Sequence, residues 1–127
     1  MIKIYDIDKV KAIGEDVKTA LIAETGLDIK IKYANDYRVI AIQNDSIELW
    51  LRLYPGENDK YNADISTIWF DESLRRKGLF EFMCKRLKKC TCIDKLKITS
   101  VCTYEMRNWC EKHKLEEVSP SDYLVEF

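Results

Sequence analysis

Between Asp8 and Thr25 the apolar residues Val10, Ile13, Val17, Ala20, Leu21 and Ala23 recur close to the helical period, and Gly26 follows where a left-handed cap residue is wanted. The spacing predicts a first helix with Gly14 as its weak point. Three β-rich runs follow, Asp28 to Ala34, Tyr37 to Gln43 and Ser46 to Tyr54. Asn35-Asp36 and Asn44-Asp45 separate them, and short Asx pairs tolerate the positive φ angles of tight hairpins, so an antiparallel meander is expected. After a polar loop, Pro55 to Asn62, Ala63 to Phe70 reads as a fourth strand. Leu79 to Cys90 reads as a second helix, with Leu79, Phe82, Met83, Leu87 and Cys90 as its apolar stripe. Leu96 to Cys102 is a fifth strand, and a third helix spans about Tyr104 to His113 with Thr103 as N-cap and Glu105 in its first turn. Met106, Trp109, Cys110 and His113 fall at i, i+3, i+4 and i+7 of that helix, which turns Cys110 inward. The remainder, Glu117 to Phe127, is β-like and broken by Ser119-Pro120-Ser121. The order predicts an α+β fold: a mixed sheet whose N-terminal half is an antiparallel meander and whose C-terminal half holds one parallel strand-helix-strand crossover.

At 127 residues and 46% hydrophobic content, the chain accommodates one core, and residues 1–127 read as a single domain. Twenty-one basic against twenty-two acidic side chains leave a net charge of −1, which supplies no global field for nucleic acid or an anionic membrane. Neither is expected as a partner; an oligomer is left open. The charge is uneven locally, since Arg75 to Lys89 holds seven Lys and Arg, a positive face suited to a small polyanion. Met1-Ile2-Lys3-Ile4-Tyr5-Asp6 has neither a long apolar run nor a small-residue cleavage site. Five cysteines, Cys84, Cys90, Cys92, Cys102 and Cys110, show no disulfide-framework spacing and suit a reducing compartment, so a cytoplasmic location is expected. Cys90 and Cys92 with Cys102, Cys110 and His113 sketch a zinc site, but the paired spacings of structural sites are missing, and free thiols and no metal are the expectation.

The chemistry concentrates at Arg75-Arg76-Lys77-Gly78-Leu79-Phe80, between the fourth strand and the second helix. A glycine-containing turn into a helix start leaves main-chain N–H groups without intrahelical partners at the positive end of the helix dipole, which makes an anion site suited to phosphate.

That junction resembles the Q/R-x-x-G-x-G/A hallmark of GNAT-type N-acetyltransferases, with Arg75 in the first position, Gly78 in the second and Phe80 where Gly or Ala is usual. The ring of Phe80 either swings away from the phosphates or obstructs them. A second segment, Thr103 to Leu115, is similar to the family's N-x-x-A-x-x-F-Y-E-K-x-G-F: Trp109, Glu111, Lys112 and Leu115 fit, whereas Thr103, Met106, Cys110 and Lys114 replace Asn, Ala, Tyr and Gly. The likeness spans about residues 28–127 and describes a short, divergent member, because residues 1–27 are brief for the family's N-terminal strand and two helices. It implies acetyl-coenzyme A as co-substrate, with its pyrophosphate on the main chain of Arg76, Lys77, Gly78, Leu79 and Phe80, and with Arg75 and Arg76 adding charge. Trp69 and Phe70, at the end of the fourth strand, would flank the pantetheine arm. Trp50 and Trp109 are further groove candidates, and core packing accounts for these aromatics equally well.

Acyl transfer to an amine needs a base for the amine proton and a route to protonate the leaving thiolate. Histone-type members carry a glutamate early in the fourth strand; counting back eleven residues from Arg75 gives Asp64, which otherwise reads as an ordinary strand carboxylate, and Glu48 and Glu72 are the alternative bases. Cys110, at the position of the family's tyrosine, is the candidate acid or else an apolar filler on the core stripe; Tyr104 and Tyr123 are other donors. His113 reads as a half-buried imidazole near a helix C-terminus more readily than as a base. The resemblance implies acetyl transfer from acetyl-coenzyme A to a primary amine of a small molecule or protein; the alternative is a GNAT-like domain that binds without catalysing.

Overall fold

The computed structural model describes residues 5–101 and 103–126; Met1 to Ile4, Cys102 and Phe127, which the readings above include, lie outside the described residues. The first helix, α1 (Ile7–Thr25), is capped by the Asp6 carboxylate accepting from the Lys9 N–H at 3.2 Å, and ends where left-handed Gly26 (φ 70) donates to the Ile22 carbonyl. Val10, Ile13, Val17 and Leu21 form its buried stripe. Gly14 is no weak point. A Cβ there would collide with the Ile31 side chain and stand 2.6 Å from the Tyr33 hydroxyl, so its absence lets α1 lie close on the sheet.

The meander is β1 (Lys30–Tyr33), β2 (Val39–Asn44), β3 (Ile47–Pro55) and β4 (Tyr61–Phe70), each antiparallel to the last. Its turns differ from expectation in detail. Positive φ falls on Tyr37 rather than on Asn35 or Asp36, and neither Asn44 nor Asp45 adopts it. Instead the Asn44 side-chain oxygen accepts from the Ser46 N–H at 2.9 Å and its amide donates to the Asp28 carbonyl at 2.7 Å, so a side-chain turn closes that hairpin.

The crossover runs from β4 through α2 (Leu79–Lys89) to β5 (Ile93–Ile98), which pairs parallel with β4. The fifth strand begins three residues before the expected Leu96, because the Tyr61 N–H donates to the Cys92 carbonyl and Ile93 opposes Tyr61. Then α3 (Tyr104–Lys112), capped by the Thr103 hydroxyl, leads to a hairpin of β6 (Glu116–Ser119) and β7 (Asp122–Val125), with β7 inserted beside β5. The seven-stranded sheet has the order β1-β2-β3-β4-β5-β7-β6, the mixed architecture expected.

Burial is one-sided. Along β3, Ile47, Leu49, Leu51 and Leu53 are fully buried while Glu48, Trp50, Arg52 and Tyr54 point to the other face. The buried face continues through Ile40, Ile42, Ala63, Ile65, Leu96, Ile98 and Val125 and carries the helices. There α1 packs on β1, β2 and α2, α2 packs on β5, and the Phe80 and Trp109 rings, 4.6 Å apart, bring α3 to α2. Each large apolar side chain so buried contributes about 1.5–3 kcal/mol. The Arg86 guanidinium clips α2 to α1 through both oxygens of Asp16, at 2.6 and 3.2 Å. No described helix packs on the opposite face.

Candidate active site

The parallel pair is short by design of its register. Ala63, Asp64 and Ile65 oppose Leu96, Lys97 and Ile98, and the last rung is the Thr99 N–H on the Ile65 carbonyl at 3.0 Å. Beyond it β4 continues to Phe70 against β3 alone. Ser66 sits at the change. Leu51 opposes Ile65 while Trp50 opposes Thr67, so Ser66 is the extra residue of a bulge, its hydroxyl on the Trp50 carbonyl at 3.4 Å. A bulge bends its strand, and here it lies where the β4–β5 pairing ends, β5 itself stopping at Ile98.

The Arg75–Gly78 turn leads out of the far end of β4. A 3-10 turn at Glu72–Leu74, capped by Asp71, follows the strand; the two Ser73 hydrogen bonds that hold the Asp71 carboxylate pull its pKa below the usual range. Arg75 Nε donates to the Phe70 carbonyl at 2.8 Å, fixing the guanidinium over the strand end. Arg76 (φ 62) and Gly78 (φ 73) are both left-handed, and Gly78 is the N-cap of α2. The Phe82 N–H donates to the Gly78 carbonyl, so the amides of Leu79, Phe80 and Glu81 precede the first helical bond and face outward. A Cβ on Gly78 would meet no protein atom within 4 Å, so the space over the turn is open. Phe80 leaves it open as well: the residue is 7% exposed, its ring turned into the core between Phe70 and Trp109. Of the two orientations the sequence allowed, the inward one is found. Arg76 and Lys77 are exposed, and Leu79 belongs to the core.

Asp64 stands on the helix-free face with Arg52 and Lys97 as its strand neighbours. It is 8% exposed, and one carboxylate oxygen, Oδ1, is buried without a hydrogen bond; Lys97 Nζ is 3.9 Å from it. Burial raises its pKa above the usual aspartate range, Asp122 adds to the rise, and Lys97 and Arg52 oppose it. A carboxylate left this way is costly to fold and suited to taking a proton.

Cys110 is elsewhere. It is fully buried on α3 beside Cys84, on the helix side of the sheet, and burial pushes its thiol up to about 11. The structure does not bring Asp64 and Cys110 together. Tyr123 is also buried on the helix side, opposite Ile98, and Tyr104 is exposed. The four candidate groove aromatics divide likewise. Trp50 and Trp69 lie on the helix-free face, 39% and 42% exposed, while Phe70 and Trp109 pack around Phe80. His113 links helices: one ring nitrogen meets the Trp109 carbonyl at 2.8 Å, the other the Glu81 carboxylate at 3.0 Å. The residues that sequence reasoning missed are Lys30, Lys32 and Gln43, which line a 620 Å³ groove with Asp28, Asn44, Asp45, Ile47 and Glu48. Their signal was phase, since each stands on the more exposed phase of its strand.

Among the described residues no three His, Cys, Asp or Glu side chains cluster as metal ligands, and no helix is long and apolar enough to cross a membrane. No family model and no curated protein matches the sequence. Among solved structures, the chain is similar to Arabidopsis thaliana Naa50 in complex with the bisubstrate analogue CoA-Ac-MVNAL, at 10% identity and a TM-score of 0.45, over 98% of this chain and 97% of that one.

Proposed function

We propose that the chain is an acyl-coenzyme A-dependent N-acyltransferase of the GNAT type, moving an acetyl group from acetyl-coenzyme A to a primary amine by direct attack. The observation that carries this reading is one arrangement: a parallel pairing that ends at Ile65 while β4 runs on, the outward amides of an arginine-rich helix start at the far end of the free stretch of β4, and a buried, unpartnered carboxylate oxygen at the near end. The turn fits a pyrophosphate, since the space above Gly78 is open and Phe80 is folded away. The co-substrate supplies an activated thioester carbonyl.

The amine nitrogen attacks that carbonyl, the carbon–sulfur bond breaks, and the thiolate leaves with the bonding pair. The amine's proton passes to Asp64, directly or through one water. A coenzyme thiolate leaves without a dedicated acid, so the distance of Cys110 does not stop the reaction. Reduced thiols at Cys84, Cys90, Cys92 and Cys110 support a cytoplasmic setting. A second reading, a module that binds coenzyme A without transfer, is favoured by the burial of Cys110 on the side away from Asp64.

Thermal-shift titrations with acetyl-coenzyme A and desulfo-coenzyme A test the donor site. A ligand bound only by the folded state at about a hundredfold over its Kd adds about 2.7 kcal/mol. No shift with either compound refutes both readings; a shift without transfer to any of a panel of amines selects the second.

A further inference from the structure

One nucleophile stands beside the candidate base and has no part in the reaction above. Lys97 lies directly opposite Asp64 across the parallel pair, and its Nζ is 3.9 Å from Asp64 Oδ1. Among the described residues no other lysine pairs with Asp64. The register also sets Lys97 at the mouth of the free stretch, since the β4–β5 pairing ends at Ile65 and Ile98, one residue beyond Asp64 and Lys97. Its side chain is 37% exposed, so the amine is within reach of solvent, yet less so than those of the exposed Lys30, Lys32 and Lys95. A counter-ion for a buried carboxylate would account for the approach. That role alone makes Lys97 one of the slower lysines toward an acylating agent, because it is half-buried and engaged.

We propose that Lys97 is itself an acceptor, so that the chain acylates its own Lys97 amine. This rests on the acyltransferase reading above, which puts the donor's thioester at the near end of the free stretch of β4. The Lys97 ammonium first gives one proton to solvent. The neutral Nζ then attacks the thioester carbonyl, the carbon–sulfur bond breaks, coenzyme A leaves as the thiolate with the bonding pair, and one amine proton passes to Asp64. The product is an amide on Lys97. Amine and base sit on adjacent strands and need no encounter, which favours this lysine over every more exposed one. Lys30 and Lys32 are on β1, three strands from β4, and at about 4.8 Å per strand their backbones are roughly 14 Å from that of Asp64. Acylation replaces the ammonium with a neutral amide and removes the stronger of the two cations that oppose the rise in the Asp64 pKa.

The test is mass-spectrometric, on the full chain at neutral pH. The chain is incubated with isotopically labelled acetyl-coenzyme A or with S-acetyl-N-acetylcysteamine, a thioester that lacks the pyrophosphate, and the labelled lysines are ranked by peptide mapping over time. With acetyl-coenzyme A, Lys97 is expected to gain label roughly tenfold or more faster than Lys30, Lys32 and Lys95; with the small thioester the order reverses. Excess desulfo-coenzyme A suppresses the first labelling and not the second. The rate per chain does not depend on chain concentration, Lys97→Arg removes the fast phase while coenzyme A still binds, and Asp64→Asn slows it by about a hundredfold. Labelling of Lys97 that is no faster than at the exposed lysines, that the small thioester matches, that rises with chain concentration, or that persists undiminished in Asp64→Asn overturns the proposal. A thermal-shift titration with coenzyme A separates the two failures. A chain that binds it and leaves Lys97 unlabelled loses this proposal alone, and one that does neither loses the donor reading as well.

Discussion

Lys97 Nζ stops 3.9 Å short of Asp64 Oδ1, a buried oxygen that has no hydrogen bond. The pair is too long to satisfy that oxygen, and burial raises the Asp64 pKa. Asp64 therefore holds its proton more tightly folded than unfolded. Its contribution to stability is complete below the ordinary aspartate range and is lost as pH rises from that range through the raised folded value. At neutral pH Asp64→Asn is expected to raise Tm, with variant and wild type converging in acid. If Asp64 is the base, the same variant keeps acetyl-coenzyme A affinity and loses about a hundredfold or more in turnover. Tm against pH and single-substrate kinetics check the two halves. A lower Tm at neutral pH would sink the account of the site, and full turnover would move the base elsewhere.

Lys114 stands where the resembling family carries glycine, and its backbone explains why. With φ 56 it is left-handed, its N–H on the Glu111 carbonyl and the next N–H, of Leu115, on the Cys110 carbonyl, each at 3.0 Å. This is a Schellman ending of α3 with lysine at the position that favours glycine. Lys114→Gly removes the left-handed penalty of about 1 kcal/mol and is expected to raise stability by about that amount in a denaturant midpoint. A loss instead would mean that the lysine side chain contributes more than its backbone costs.

The sheet was legible because strict alternation over Ile47 to Leu53 leaves one register for β3, and because a strand, helix and strand in one sheet must run parallel. The start of β5 was not, since the pairing of Tyr61 with Ile93 is a tertiary matter that the polar residues Asp94 and Lys95 conceal. Direction was the other blind spot. The expected stripe of α2 ran one step off: Phe82 and Cys90 are only half-buried while Phe80 and Cys84 are buried, and the Phe80 ring packs on Trp109 from α3. The separation of Asp64 from Cys110 depends on which face the helices take, which alternation alone does not choose. Gly14 looked like a defect in propensity because its reason lies in β1, at Ile31 and Tyr33.

Cys110 is fully buried and its thiol is pushed up to about 11, so it is protonated at neutral pH and shut away from the Asp64 face. Cys110→Ala is expected to cost about 1 kcal/mol, the loss of one small buried group with a small cavity, and to leave turnover within about threefold. Denaturant melts and kinetics on the same preparation separate the effects. An unchanged stability with abolished turnover would instead assign the thiol a chemical part, including an acyl-cysteine intermediate.

Gly78 offers the sharpest test of the donor site, because its two properties can be varied apart. Its left-handed φ of 73 disfavours most side chains, yet a Cβ would touch no protein atom. Asparagine tolerates this conformation and valine does not. Gly78→Asn is therefore expected to preserve the turn, whereas Gly78→Val distorts it and places two methyl groups where an anion would approach the amides. Lys88→Ala, which deletes one half-buried side chain's charge in the last turn of the same helix, is the electrostatic control. In isothermal titration with coenzyme A, the valine variant should lose about tenfold or more in affinity, and Lys88→Ala less than about threefold. Parallel melts show whether the valine chain is folded at the titration temperature. Equal losses in the valine and Lys88→Ala proteins would reduce the site to a diffuse basic patch, and an unaffected valine variant would remove the main chain from ligand binding altogether.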